Sequence, residues 1–239
     1  MGQGIVQDIG IEVGAAIAAY WVFCQPSSCC GMIITSSEIN VTRFFIKTFA
    51  GKTPWGDAEF ASERVSEYHG NIEIIRTFNA GHGVASGIAQ TVVLALGIKT
   101  NSVQACVDTI NTAFSLLDSD GIIDLYGFSQ GGRLIDRLRP YFTKEQLSRI
   151  HVTTLGSAKI IENYGFGSVR NYVNTSDLIP YIADPLGVIK SFVSNKYHLE
   201  FLPSDDFFGC GHSFMSNAYQ QIIQRDGLEY QRKYAIGAP

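Results

Sequence analysis

The stretch 121–135, Gly-Ile-Ile-Asp-Leu-Tyr-Gly-Phe-Ser-Gln-Gly-Gly-Arg-Leu-Ile, constrains this chain more than any other. Ile122, Ile123, Leu125 and Tyr126 are apolar and β-prone, as a buried strand of a parallel sheet requires. Residues 133–138 then carry apolar side chains at helical spacing. Between them stands Gly127-Phe-Ser-Gln-Gly131. A strand, a tight turn bearing a serine and a following helix form the pattern of a nucleophile elbow.

The spacing has a chemical reason. A serine hydroxyl attacks poorly until a base takes its proton and the backbone holds it clear of its neighbours. Gly127 and Gly131 stand two before and two after Ser129, where strand and helix must approach closely and a missing Cβ helps. The new helix points its unpaired N–H groups toward a developing oxyanion. Five residues alone are weak ground in a chain with 24 glycines, so the flanking strand and helix carry much of the weight. The competing reading is a glycine-rich turn in an unrelated α/β protein.

The remaining pattern agrees with an α/β class. Strands are expected over 41–49, 71–78, 149–155, 168–174 and 197–202, and helices over 58–69, 102–117 and 214–224. Asp57 and Thr143 are candidate N-caps. Alternating strands and helices predict a mostly parallel central sheet with helices on both faces. The 239 residues suffice for one large domain of this kind, placed at 41–239.

Residues 1–40 read as a separate apolar segment, a helix or a membrane or partner contact. The first basic residue is Arg43, so a secretory n-region is absent, and the apolar run 13–24 is short for a bilayer span. Cys29-Cys30 beside that run is a candidate acylation site, with a helix packed on the domain as the blander reading. Localisation is open: cytoplasmic or peripheral membrane placement is favoured, beside export by a signal not legible here. Residues 84–98 are apolar and small, a buried crossover helix or, alternatively, a lid. A net charge of −4 without a Lys/Arg cluster argues against nucleic acid as a partner. Five cysteines without paired metal spacing favour neither a disulfide framework nor a zinc site.

A serine nucleophile on such a sheet needs an acid and then a histidine later in the chain. Asp177, in Asn174-Thr-Ser-Asp-Leu-Ile-Pro-Tyr181 directly after a strand, is the first candidate acid; Asp184 is the understudy. His212, in Phe208-Gly-Cys-Gly-His-Ser-Phe214, opens a helix from a loop and can reach back over the sheet. His198 lies inside an expected strand, and His69 and His82 precede the serine. His212 is therefore the expected base and Asp177 its orienting acid. The oxyanion donors are expected at the backbone N–H of Gln130 and in 48–50, with Thr48 and Phe49 foremost.

At these residues the chain resembles α/β-hydrolases of the lipase type, especially class 3 lipases, through Ser129, Asp177-Leu-Ile-Pro180 and His212. Gly-Phe-Ser-Gln-Gly-Gly also looks like the cutinase elbow. More closely it resembles a family of chlamydial lipase-like proteins, through Phe44-Phe-Ile46, Phe78-Asn-Ala-Gly-His-Gly83, Ser129-Gln-Gly131, Asp177-Leu-Ile-Pro180 and Gly211-His-Ser-Phe-Met-Ser216. These matches span about 44–219. Two positions depart: Lys47-Thr48 stands where that family tends to have Asn-Gly, and Gly211 where lipase relatives often carry Asp. The resemblance implies an α/β-hydrolase fold and lipase-like chemistry, without naming a substrate. The expectation is a serine hydrolase of lipid acyl esters or thioesters that needs no cofactor or metal. The alternatives are an acyltransferase with the same triad, or a membrane-associated effector or binding protein on an impaired scaffold.

Overall fold

The computed structural model describes residues 31–36, 63–71, 75–76, 101–117, 119–204 and 211–234. The expected strand 41–49, the apolar stretch 84–98, His82 and four of the cysteines lie outside them.

Six strands form one sheet in the order β2-β1-β3-β4-β5-β6. They are β1 Gly31–Ser36, β2 Ile75–Arg76, β3 Ile123–Phe128, β4 Ile150–Leu155, β5 Ser168–Asn174 and β6 Leu199–Leu202. β3 to β6 run parallel, and β1 pairs antiparallel with both β2 and β3. This is an α/β arrangement with a four-stranded parallel sheet. The helices are α1 Asn101–Leu116, α2 Gln130–Asp136, α3 Lys144–Ser148, α4 Ile179–Ala183, α5 Pro185–Val193 and α6 Asn217–Tyr234, with helical residues also at 63–68.

Side-chain alternation along β3 builds two cores. Ile123 and Leu125 join Val103, Ile110, Leu134 and Ile135 from α1 and α2 on one side. Tyr126 and Phe128 join Val65, Tyr219, Ile222 and Ile223, from the 63–68 helix and α6, on the other. Helices therefore cover both faces, and β3 lies between two paired neighbours with little exposure.

Several boundaries differ from the sequence expectation, each for a local reason. The strand expected over 197–202 begins at Leu199, because His198 takes a left-handed φ of 38°. The strand expected over 71–78 is described only at Ile75–Arg76, and Asn71, at φ 58°, sits in the turn that ends the preceding helix. The last helix starts at Asn217 rather than 214 and runs ten residues past 224. It passes through Gly227, where a Cβ would lie 2.3 Å from the Tyr68 carbonyl oxygen. That glycine lets the backbones of α6 and the 63–71 segment approach closely. β1 lies within the segment read as 1–40, and its six residues all pair with β3.

Short helices follow their capping chemistry. Thr143 and Gln146 form a reciprocal capping box on α3. Asp184 caps α5 by accepting from the Gly187 N–H, and Pro185 takes the first turn, where its missing N–H costs nothing. No helix of the described residues is long and apolar enough to cross a membrane.

Candidate active site

β3 ends at Phe128 and α2 begins at Gln130, so the chain reverses on Ser129 alone. Ser129 has φ 55° and ψ −121°, a conformation that L-residues avoid. Such backbone strain costs on the order of 1–3 kcal/mol and persists only where neighbours hold it. Here the Ser129 N–H donates to the Leu155 carbonyl at 3.2 Å, and its own carbonyl accepts from Ala158 at 2.9 Å and Gly132 at 3.3 Å. The end of β4 thus clamps the turn from both sides.

Glycines make the turn sterically feasible. A Cβ on Gly127 would come within 2.7 Å of Ile135 Cδ1 and 3.0 Å of the Gly132 nitrogen. A Cβ on Gly132 would lie 1.8 Å from the Ser157 hydroxyl. Gly131 is buried in the first turn of α2. The close contact between α2 and the loop after β4 is made by Gly132, three residues after the serine, a glycine that the sequence reading passes over.

Three side chains converge on one line. The His212 Nε2 lies 2.9 Å from Ser129 Oγ. The His212 Nδ1 lies 2.9 Å from each oxygen of Asp177. Asp177 is fully buried and the His212 side chain nearly so. The imidazole stacks on Phe128, with centroids 4.9 Å apart and planes 18° from parallel. That contact fixes the ring plane while both nitrogens keep their partners. A nitrogen facing a carboxylate and another facing a hydroxyl describe a base whose tautomer is set by the acid.

The loops that carry the acid and the histidine are tied to each other. Asn174, at the end of β5, accepts from the Ser176 N–H and Oγ at 3.0 and 2.9 Å, and donates to the Gly211 carbonyl at 3.4 Å. A Cβ on Gly211 would meet Ser176 Oγ at 2.1 Å. The residue before the histidine must therefore be small here. On Asp177 itself, Oδ1 accepts from the Ile179 N–H at 2.9 Å and Oδ2 from the Tyr219 hydroxyl at 2.7 Å.

The other sequence candidates go elsewhere. Asp184 is buried, accepting from the Ile160 N–H at 2.9 Å and pairing with Lys159 Nζ at 3.1 Å, which gives it a structural role. His198 is an exposed turn residue before β6. His69 donates from Nδ1 to the Val65 carbonyl at 2.8 Å, and burial lowers its pKa to about 4. Gln130 is the first residue of α2, directly after Ser129, so its N–H lies at the start of the helix. Thr48 and Phe49 lie outside the described residues. No group of three or more His, Cys, Asp or Glu side chains among the described residues could hold a metal ion.

Sequence reasoning missed Tyr219, Asn174, Gly156 and Gly132. Tyr219 lies seven residues beyond His212, in a segment expected to be helical, but nothing in that pattern marks it as facing Asp177. Comparison with protein-family models, curated proteins and solved structures finds no match to this chain.

Proposed function

We propose that the chain is a serine hydrolase of the α/β-hydrolase kind that cleaves carboxylic esters or thioesters, with lipid acyl esters as the favoured class. The observation that carries this reading is the unbroken chain of contacts from Ser129 through His212 to Asp177, set on a strained strand-to-helix turn. In the proposed reaction His212 Nε2 takes the Ser129 proton as Oγ attacks the acyl carbon. Asp177 holds the imidazole orientation and stabilises the imidazolium. The Gln130 N–H is the proposed donor to the oxyanion, and losing one such donor costs about 3 kcal/mol in the transition state. The proton passes from His212 to the leaving alcohol or thiol. Water then repeats the attack on the acyl-enzyme, with His212 again as base.

An exposed apolar face favours a lipid over a polar ester. Leu186, Ile189, Phe192 and Val193 on α5 are all more than half exposed. The face connects to the site through stacked rings: Phe192 on Phe201 at 5.4 Å and Phe201 on Tyr181 at 6.3 Å, with Tyr181 close enough to Asp177 to feel its charge. Grouped exposed apolar side chains mark surfaces that meet another apolar surface.

Fluorophosphonate labelling of the wild type and of Ser129→Ala is the direct test, because it reports an activated serine without a known substrate. Labelling of the folded wild type alone supports the hydrolase. Absence of labelling on a folded wild type sinks it and leaves the binding-protein reading. Liposome flotation of Phe192→Glu/Val193→Glu tests the lipid preference; flotation equal to wild type removes α5 from the lipid contact. Product analysis with an added alcohol acceptor separates hydrolysis from acyl transfer.

A further inference from the structure

We propose that Tyr219 is a positioning residue of this site, whose phenol holds the Asp177 carboxylate in the plane that meets His212 and sets how firmly the imidazole keeps its proton. The kinetic part of this inference rests on the hydrolase reading; its structural part does not.

The geometry is closed on every side. Tyr219 is wholly buried, and its hydroxyl donates to Asp177 Oδ2 at 2.7 Å while accepting from the Asn174 N–H at 3.1 Å. With the Ile179 N–H on Oδ1, the carboxylate has a donor on each oxygen besides the imidazole. It can neither rotate away from His212 nor approach it without breaking one of them. A second observation shows that space is reserved for this contact. Gly156, at the end of β4, has φ +54°, and a Cβ there would lie 2.3 Å from Asp177 Oδ2 and 2.7 Å from the Tyr219 hydroxyl. The hydroxyl and the carboxylate oxygen fit together because that position has no side chain.

The groups around the phenol define its electrostatics. Asp177 from the loop after β5 and Tyr181 from α4 both act on it, and His212 meets it through the shared carboxylate. Phe128 from β3 packs edge-on against the Tyr219 ring at 6.0 Å. Burial, then the Asp177 charge, pushes the Tyr219 phenol well above its usual pKa, so it stays a donor wherever the site works. A donor to a carboxylate disperses its charge and weakens its hold on the imidazolium. Removing the donor therefore strengthens the hold of Asp177 on the imidazolium, and strengthening the donor weakens it.

Two variants with opposite expectations test this: Tyr219→Phe, and Tyr219 replaced by 3-fluorotyrosine, which keeps the shape and donates more strongly. The His212 ring is titrated by NMR, assigned by its loss in His212→Gln, and fluorophosphonate labelling is followed against pH. In Tyr219→Phe the His212 titration and the acid limb of labelling should both move up by about half a pH unit. The plateau rate should fall about tenfold as the acid loses its fixed orientation. With 3-fluorotyrosine both should move down. Tyr126→Phe, which removes another buried tyrosine hydroxyl, should leave the His212 titration unchanged. Unmoved titration in both Tyr219 variants overturns the proposal; should Tyr219→Phe not fold, the 3-fluorotyrosine protein decides alone. A wild type that does not label, yet shows the two opposed movements, overturns the hydrolase reading and keeps Tyr219. A labelling wild type without them does the reverse.

Discussion

Two buried tyrosine–aspartate pairs tie α6 to the sheet, and they differ in one partner. Tyr219 donates to Asp177 at 2.7 Å, and two helical turns further on Asp226 accepts from Tyr126 at 3.1 Å. At the first pair the carboxylate faces an imidazole that leads to Ser129. At the second it faces the Arg170 guanidinium, whose nitrogens lie 3.3 and 3.2 Å from its two oxygens. Burial raises the Asp226 pKa even against the pull of Arg170 and Arg225. Arginine cannot give up its proton, so the second network fixes α6 in place and does nothing more. Histidine can, so on the proposed hydrolase reading the first has a proton to move. On that reading, similar parts serve as an anchor or as a relay according to whether the basic partner can release its proton.

Ser129→Ala should separate the two regions most widely. Labelling and ester turnover should fall by at least about 10³-fold, while thermal unfolding stays within about 0.5 kcal/mol of wild type. Retained turnover would erase the functional side of the contrast.

The anchor region should govern pH stability through His69, whose ring packs against Tyr126 and Tyr230. Burial holds its folded pKa at about 4, below the unfolded value of 6.5. The unfolded chain therefore binds the proton first as pH falls, and stability present above pH 6.5 is lost on the way down to about 4. The loss should approach about 3 kcal/mol in denaturant titrations, and His69→Gln should flatten it. An equal slope in that variant would place the acid sensitivity elsewhere.

Arg170→Met should leave Asp226 buried without its closest cation. Because the Arg170 side chain is partly exposed, we expect a loss of about 2 kcal/mol, less than for a fully buried pair. Labelling should stay within a few-fold of wild type. A parallel collapse of labelling would mean that anchor and relay are one coupled unit. The smallest effect belongs to Tyr126→Phe, about 1 kcal/mol in unfolding for one lost hydrogen bond.

Much of the α/β class was legible because it rests on local pattern. The strand read over 168–174 is β5, Ser168–Asn174, and the helix read over 102–117 is α1, Asn101–Leu116. Apolar β-prone runs and helical spacing act within one element, so a single sequence displays them. Chain order likewise singled out Ser129, Asp177 and His212, since each follows a recognisable strand or opens a helix. The strand β1 was not legible, because an antiparallel partner of β3 about ninety residues away leaves no local mark.

What the sequence by itself determined is the run of parallel strands, the helices α1, α2 and α6, and the residues able to do chemistry at their ends. What only the tertiary structure decided is the environment of those residues. It pairs Tyr219 with Asp177 and Tyr126 with Asp226, ties Asp184 to Ile160 and Lys159, and reserves the space at Gly156. Each of these joins groups far apart in the chain and takes its energy from being desolvated together, which no local pattern records.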